Sequence, residues 1–199
     1  MSTKAYVSGV GMVPFQKPGA SESYDVMAAK ATRSALQDAG LSYDLIQQAY
    51  VGYVYGDSTC GQRALYQVGM TGIPILNVNN NCSTGSSALF LARQAVESGA
   101  VDCVLALGFE QMKPGAIGSV FEDRVSPFQS FDDETDDLVG NAEIPLALRY
   151  FGGAGKAHME EFGTPLETFA KIRAKASRHA AKNPVALFRQ EVTPEDVMA

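Results

Sequence analysis

Apolar residues in the first 110 positions come in short runs that switch between two spacings. The run "AYVSGVGMV" (residues 5–13) is β-rich, punctuated by glycine and closed by Pro14, which predicts a first strand. Tyr24, Met27, Ala28, Ala31 and Ala35 then repeat at helical spacing, with Gly40 at the stop. A second strand is predicted over residues 48–56, a short helix over 61–70, a third strand over 74–80 and a third helix over 84–98, ended by Gly99. The fourth strand, "DCVLALGFE" (102–110), is apolar throughout its centre, the pattern of a strand buried on both faces.

Alternating strand and helix implies parallel βαβ units with right-handed crossovers. Past Lys113 the pattern breaks. "KPGAIGSVFEDRVSPFQSFDDETDDLVG" (113–140) has little periodicity and reads as a long excursion, followed by helical stretches at 142–162 and 165–182. Thr193-Pro194-Glu195 looks like the opening of another helix, and no further strand is predicted. The expected division is a βαβαβαβ unit over 1–117 and a mostly helical unit over 118–199 that stops short of a finished domain.

Composition changes the picture mainly by exclusion. Hydrophobic residues make up 46% and charged residues 19%, which suits a globular core. A formal charge of −6 argues against nucleic acid or an anionic membrane as a partner. No apolar run approaches the roughly 20 residues of a membrane helix, and the N-terminus has no charged segment feeding an apolar core. Cys60, Cys82 and Cys103 lie 22 and 21 apart, a spacing of neither a disulfide framework nor a zinc site. A reducing, cytoplasmic setting without a metal is expected. The acidic cluster Asp132, Asp133, Glu134, Asp136 and Asp137 matches no calcium loop and reads as a solvated loop.

The candidate chemistry lies in "NVNNNCSTGSSALF" (77–90), where Cys82 falls between a predicted strand and a predicted helix. Amides at a helix start carry the positive end of the helix dipole, which favours a thiolate and could hold an oxyanion. Thr84, Gly85, Ser86, Ser87 and Ala88 are small enough for a close approach, while Ser83 or Thr84 could be an ordinary helix cap. Position alone leaves two readings open, an activated nucleophile and an inert packed thiol. Cys103, inside "CVLALGF", reads as a core residue and Cys60 as a structural loop residue. "GVGMV" and "FGGAGKAH" lack the spacing of nucleotide loops and read as turns or close helix contacts. His158 and His179 fall on helix surfaces or ends, and neither has the setting of a base for Cys82.

With these residues in hand, the sequence resembles the thiolase superfamily, and most closely the thiolase domains of the sterol carrier protein x type. The carriers are "GYVYGDSTCGQRALYQ", "GMTGIPILNVNNNCSTGSSALFLARQAVESG", "CVLALGFEQM" and "GKAHMEEFGTPLETFAKI". The resemblance implies a thiolase-like layered α/β/α/β/α fold, of which this chain holds the first βαβαβαβ half and a helical loop domain. It implies that Cys82 is the acylated nucleophile of a 3-oxoacyl-CoA thiolase, an acyl-CoA C-acyltransferase of fatty acyl or sterol-side-chain degradation. It implies coenzyme A as co-substrate rather than a permanently bound cofactor, with no contact residues assigned. A homodimer or tetramer is implied as well, with the strand before the cysteine at the interface.

The family's Gly-His-Pro and Cys-x-Gly motifs do not occur here. The expectation is therefore a fragment with little turnover of its own. Two alternatives stay open, a steroid side-chain aldolase acting on acyl-CoA, a branch that lacks the nucleophilic cysteine, and a non-catalytic subunit completed by a partner.

Overall fold

Helix α1 (Tyr24–Ala39) ends where Gly40 enters the left-handed region at φ 66°. The Gly40 N–H donates to Gln37 O at 3.2 Å and the Leu41 N–H to Leu36 O at 3.0 Å, closing the last turn on its own carbonyls. The helix buries Asp25, Ala28, Ala29 and Thr32, one face at helical spacing. This computed structural model describes residues 4–114, 121–140 and 144–199. Its contacts divide the chain into two units, Met1–Lys113 and Pro114–Ala199.

Three parallel strands form the sheet of the first unit: β1 (Gln48–Gly52), β2 (Ile75–Val78) and β3 (Val104–Gly108), in the order β2-β1-β3. The register sets Gly52 opposite both Val78 and Gly108, so all three strands end at one level. Helices α2 (Cys60–Tyr66) and α3 (Thr84–Glu97) complete the crossovers. The core gathers Ala49 and Val51 of β1, Leu105 and Leu107 of β3, Ala64 and Leu65 of α2 and Ala28 of α1. Central β1 has neighbours on both sides, and Val51 and Ala49 are 0% exposed.

Two expectations for this unit are corrected. Residues 5–13 form no strand, so three of the four expected strands are present. The segment lies against α1 instead, with the Val10 N–H on Asp38 Oδ2 at 2.8 Å. A Cβ added at Gly9 would meet Ala35 O at 2.5 Å, and one at Gly11 would overlap Ala31 O, so glycine is what allows this contact. The fourth expected strand, now β3, is not buried on both faces. Leu105 and Leu107 are buried while Ala106 and Gly108 are exposed, an alternation of period two.

The second unit is helical: α4 (Gln129–Val139), α5 (Leu146–Phe162), α6 (Leu166–Ala181) and α7 (Pro194–Met198). The acidic cluster is therefore part of a helix and not a loop. Two of its carboxylates tie α4 to α5, Asp132 accepting from the Tyr150 hydroxyl and Asp136 pairing with Arg149, while Asp133 accepts from Gln129 Nε2 at 2.8 Å within α4. Among the described residues no group of three or more His, Cys, Asp or Glu could hold a metal. The expected helix start at Thr193 is present as a reciprocal cap, with Asp196 N–H on Thr193 Oγ1 at 3.1 Å and Thr193 N–H on Asp196 Oδ2 at 2.8 Å. Among the described residues, no helix is long and apolar enough to cross a membrane.

Candidate active site

The four asparagines before Cys82 each have a separate structural task. Asn77 accepts the Gly61 N–H at 2.9 Å and donates to Gln62 Oε1 at 2.8 Å, tying the first turn of α2 to β2. Asn79 Oδ1 accepts the Asn81 N–H at 3.1 Å, which helps hold Asn81 at φ 47°. Asn80 donates its N–H to Thr84 Oγ1 at 2.8 Å and its side-chain amide to Ser87 Oγ at 2.8 Å. Thr84 Oγ1 in turn donates to Asn81 O at 2.5 Å.

Cys82 sits at the apex of this turn, and its side chain is exposed. The turn beneath it is packed. Thr84 is 5% exposed, and a Cβ added at Gly52 would meet Thr84 Cγ2 at 2.7 Å, so α3 begins directly on the end of β1. The Cys82 thiol is therefore not packed into the core of this unit. The cap expectation is corrected: Ser83 is the N-cap residue but makes no side-chain cap, because its hydroxyl donates to Asn80 O at 2.9 Å. The Ser83 and Thr84 N–H groups are likewise taken by Asn80 O and Asn81 O, each at 3.1 Å, and are not the outward-pointing donors the helix start suggests.

The shared strand level brings two more residues to the edge that carries Cys82. Beyond β3, Glu110 accepts the Val54 N–H on Oε2 at 2.9 Å and the Tyr55 N–H on Oε1 at 3.0 Å. These bonds continue the β1–β3 ladder past Phe109, whose N–H donates to Gly52 O at 3.1 Å. Tyr55 is half-buried. Its phenol is pushed above its ordinary value, first by burial and then by the charges of Glu110 and Cys82. Behind this edge Phe109 stacks between Tyr24 and Tyr53, with ring centroids 5.1 Å apart on each side. A shallow depression opens there, lined by Tyr53, Val54, Gly56, Asp57, Asn77 and Asn79. Ligands of open parallel sheets collect at the carboxyl ends of the strands, and that is where Tyr55, Cys82 and Glu110 stand.

The other sequence candidates separate from this edge. Cys60 is 5% exposed at the start of α2, where its N–H donates to the Tyr53 hydroxyl at 3.3 Å. A hydrogen bond with Cys60 is the largest influence raising the Tyr24 phenol, to about 12. Cys103 is half-buried, and burial pushes its thiol up. His158 lies on α5 with its ring 4.8 Å from that of Phe162, and His179 is in the last turn of α6. Neither belongs to the unit that holds Cys82. Tyr55 and Glu110 escaped the sequence reading: both fall near the ends of predicted strands (48–56 and 102–110), whereas the observed strands stop at Gly52 and Gly108 and leave them just beyond.

A model described as "Thiolase, N-terminal domain" matches residues 6–199. Sterol carrier protein 2 of Homo sapiens is 51% identical over 199 residues, which are 98% of this chain and 36% of that protein. Benzoylsuccinyl-CoA thiolase subunit BbsB of Thauera aromatica is 30% identical over 201 residues, covering 100% of this chain and 49% of that one. Among solved structures, the Ltp2-ChsH2(DUF35) aldolase superposes with a TM-score of 0.74 at 20% identity, over 98% of this chain and 48% of that chain, a likeness of fold. The chain spans between about a third and half of the length of these relatives.

Proposed function

The chain belongs to the thiolase family through its N-terminal domain, and from that premise we propose that Cys82 is the acylated nucleophile of an acyl-CoA C-acyltransferase acting on 3-oxoacyl-CoA. The observation that carries this reading is an exposed thiol on a hydrogen-bonded turn at the carboxyl edge of a parallel sheet. In the proposed reaction the Cys82 thiolate attacks the 3-carbonyl carbon, and an Sγ–C bond forms. The C2–C3 bond then breaks, and the leaving carbanion takes a proton to become acetyl-CoA or propionyl-CoA, while the shortened acyl group stays on Cys82. A coenzyme A thiolate next attacks the acyl-Cys82 thioester and restores the free thiol. The fixed turn contributes orientation, because the attacking sulfur starts from one position.

Coenzyme A enters as co-substrate, and the working enzyme is a homodimer or tetramer in the cytoplasm. No described residue of the Cys82 unit is assigned the proton-accepting role, so turnover by this chain alone is slight. An aldolase acting on acyl-CoA would leave Cys82 unacylated. Incubation with acetyl-CoA and peptide mass spectrometry separates the two readings. One acetyl group on Cys82, lost in Cys82→Ala, is expected. Free alkylation of Cys82 by iodoacetamide without any acetylation overturns the proposal.

A further inference from the structure

Helix α4 forms against the preferences of its own sequence. Residues 129–139 hold five carboxylates and no cation. Asp132 with Asp136, and Asp133 with Asp137, are like charges four residues apart, a spacing that destabilises a helix. Asp136 and Asp137 also stand in the last turn, beside the negative end of the helix dipole. At 11 residues, α4 falls short of the roughly 12–15 that an isolated helix needs. Burial does not compensate: no residue of α4 is buried, and Phe131 and Leu138 are 68% and 74% exposed.

What holds α4 is the beginning of α5. Arg149 donates to Asp136 and, at 2.9 Å, to Gly140 O, while the Tyr150 hydroxyl donates to Asp132. The Phe131 ring meets that of Tyr150 edge-on, with centroids 6.4 Å apart. Burial, and then the bond to Asp132, push the Tyr150 phenol up to about 12, so it stays a donor. The closed arrangement also carries a cost. Arg149 Nε is buried without a hydrogen-bond partner, and opening would return it to water.

We propose that α4 is a charge-gated strap: it closes on α5 as a helix, opens as a chain while α5 and α6 stay folded, and is closed more firmly as ionic strength rises. The sign follows from exposure. Asp133, Glu134 and Asp137 are exposed, so salt screens their repulsion, the screening length falling from about 10 Å at 0.1 M to about 3 Å at 1 M. The ties are screened less. The Arg149 side chain is 8% exposed against 39% for Asp136, and the bonds to Gly140 O and from Tyr150 are not ion pairs. Salt therefore relieves the opposition to the helix more than it weakens what holds it, the reverse of its action on an exposed salt bridge.

Amide hydrogen exchange of the intact chain reads the opening along residues 132–139, with α6 as internal reference. Raising salt from about 0.1 to 1 M should slow exchange there by about 2- to 5-fold relative to α6. Arg149→Met should speed it by about 10- to 100-fold, with α6 changed by less than about twofold. Asp133→Asn combined with Asp137→Asn touches neither tie, and is readable even where Arg149→Met does not fold. It should slow exchange at low salt and shrink the salt response. Exchange of 132–139 that keeps pace with α6 throughout overturns the proposal, because the strap then has no opening of its own. Exchange that speeds with salt overturns it by sign. Equal speeding of α6 in Arg149→Met marks Arg149 as a general support of the unit and overturns it too.

Discussion

The two units bury different kinds of group. In the first, the interior is an apolar sheet core in which Ala49, Val51, Ala64 and Leu65 are each 0% exposed. In the second, the buried residues are Arg149, Ala170, Ala174 and Ser177 among those described. There Phe151 is 78% exposed and Val125 84%. Apolar burial contributes about 25 cal/mol per Å², whereas a net hydrogen bond contributes about 1 kcal/mol. The first unit is therefore held by its core. The second relies more on specific polar ties: Arg149 to Asp136 and Gly140 O, Tyr150 to Asp132, and Ser177 to the Val192 N–H. The difference bears on the proposed function, since Cys82, proposed above as the nucleophile, is carried by the unit whose geometry is set by close packing.

The sharpest way to break this contrast is to remove apolar groups from each side. Leu65→Ala should cost about 2–5 kcal/mol in denaturant unfolding of the first unit, while Ile172→Ala, at a position 60% exposed in the second, should stay within about 0.5 kcal/mol. Equal costs would end the distinction. Next in size is Arg149→Ala. The Arg149 side chain is 8% exposed, but that of Asp136 is 39%, so solvent takes up part of the loss. We expect about 1–3 kcal/mol, read as earlier loss of helical circular dichroism with the first unit's transition unchanged.

The smallest effect concerns Asp25, the one buried carboxylate among the described residues of the first unit. Asp25 accepts from Gln67 Nε2 at 2.6 Å, Arg63 Nε at 3.1 Å and the Val26 N–H at 3.1 Å. Its carboxyl is held below the ordinary 3.8, chiefly by a hydrogen bond from Ser23 and then by Arg63 and the Val26 N–H, against the opposing effect of burial. A depressed carboxyl stabilises the fold above its unfolded value, and that contribution is lost as pH falls through the folded value. Asp25→Asn should therefore cost about 1 kcal/mol near pH 7 and lose that cost as pH falls through the folded-state value, below 3.8. Urea midpoints at both pH values check this, and a difference that grew on acidification would contradict the sign.

Legibility followed the range of the interaction. Helices α1, α3, α5 and α6 were readable because helical spacing and stop signals such as Gly40 and Gly99 are local. Helix α4 was not, since its carboxylates look like a loop until Tyr150 and Arg149 are seen to meet them. Residues 5–13 have strand composition, yet they lie along α1, because Gly9 and Gly11 remove the side chains that would hold the two backbones apart. The strand β3 looked buried on both sides because its sequence is apolar on both.

By itself the sequence determined that strands and helices alternate, that Cys82 falls at a strand–helix junction, and that the chain carries the quoted thiolase motifs. These depend on neighbours in the chain. Only the tertiary structure decided that the Cys82 thiol is exposed, that the Ser83 and Thr84 amides are already taken, and that Tyr55 and Glu110 share its edge. Those three residues are separated by 27 and 28 positions, and what joins them is the parallel register of three strands, a property of pairing that no single strand contains.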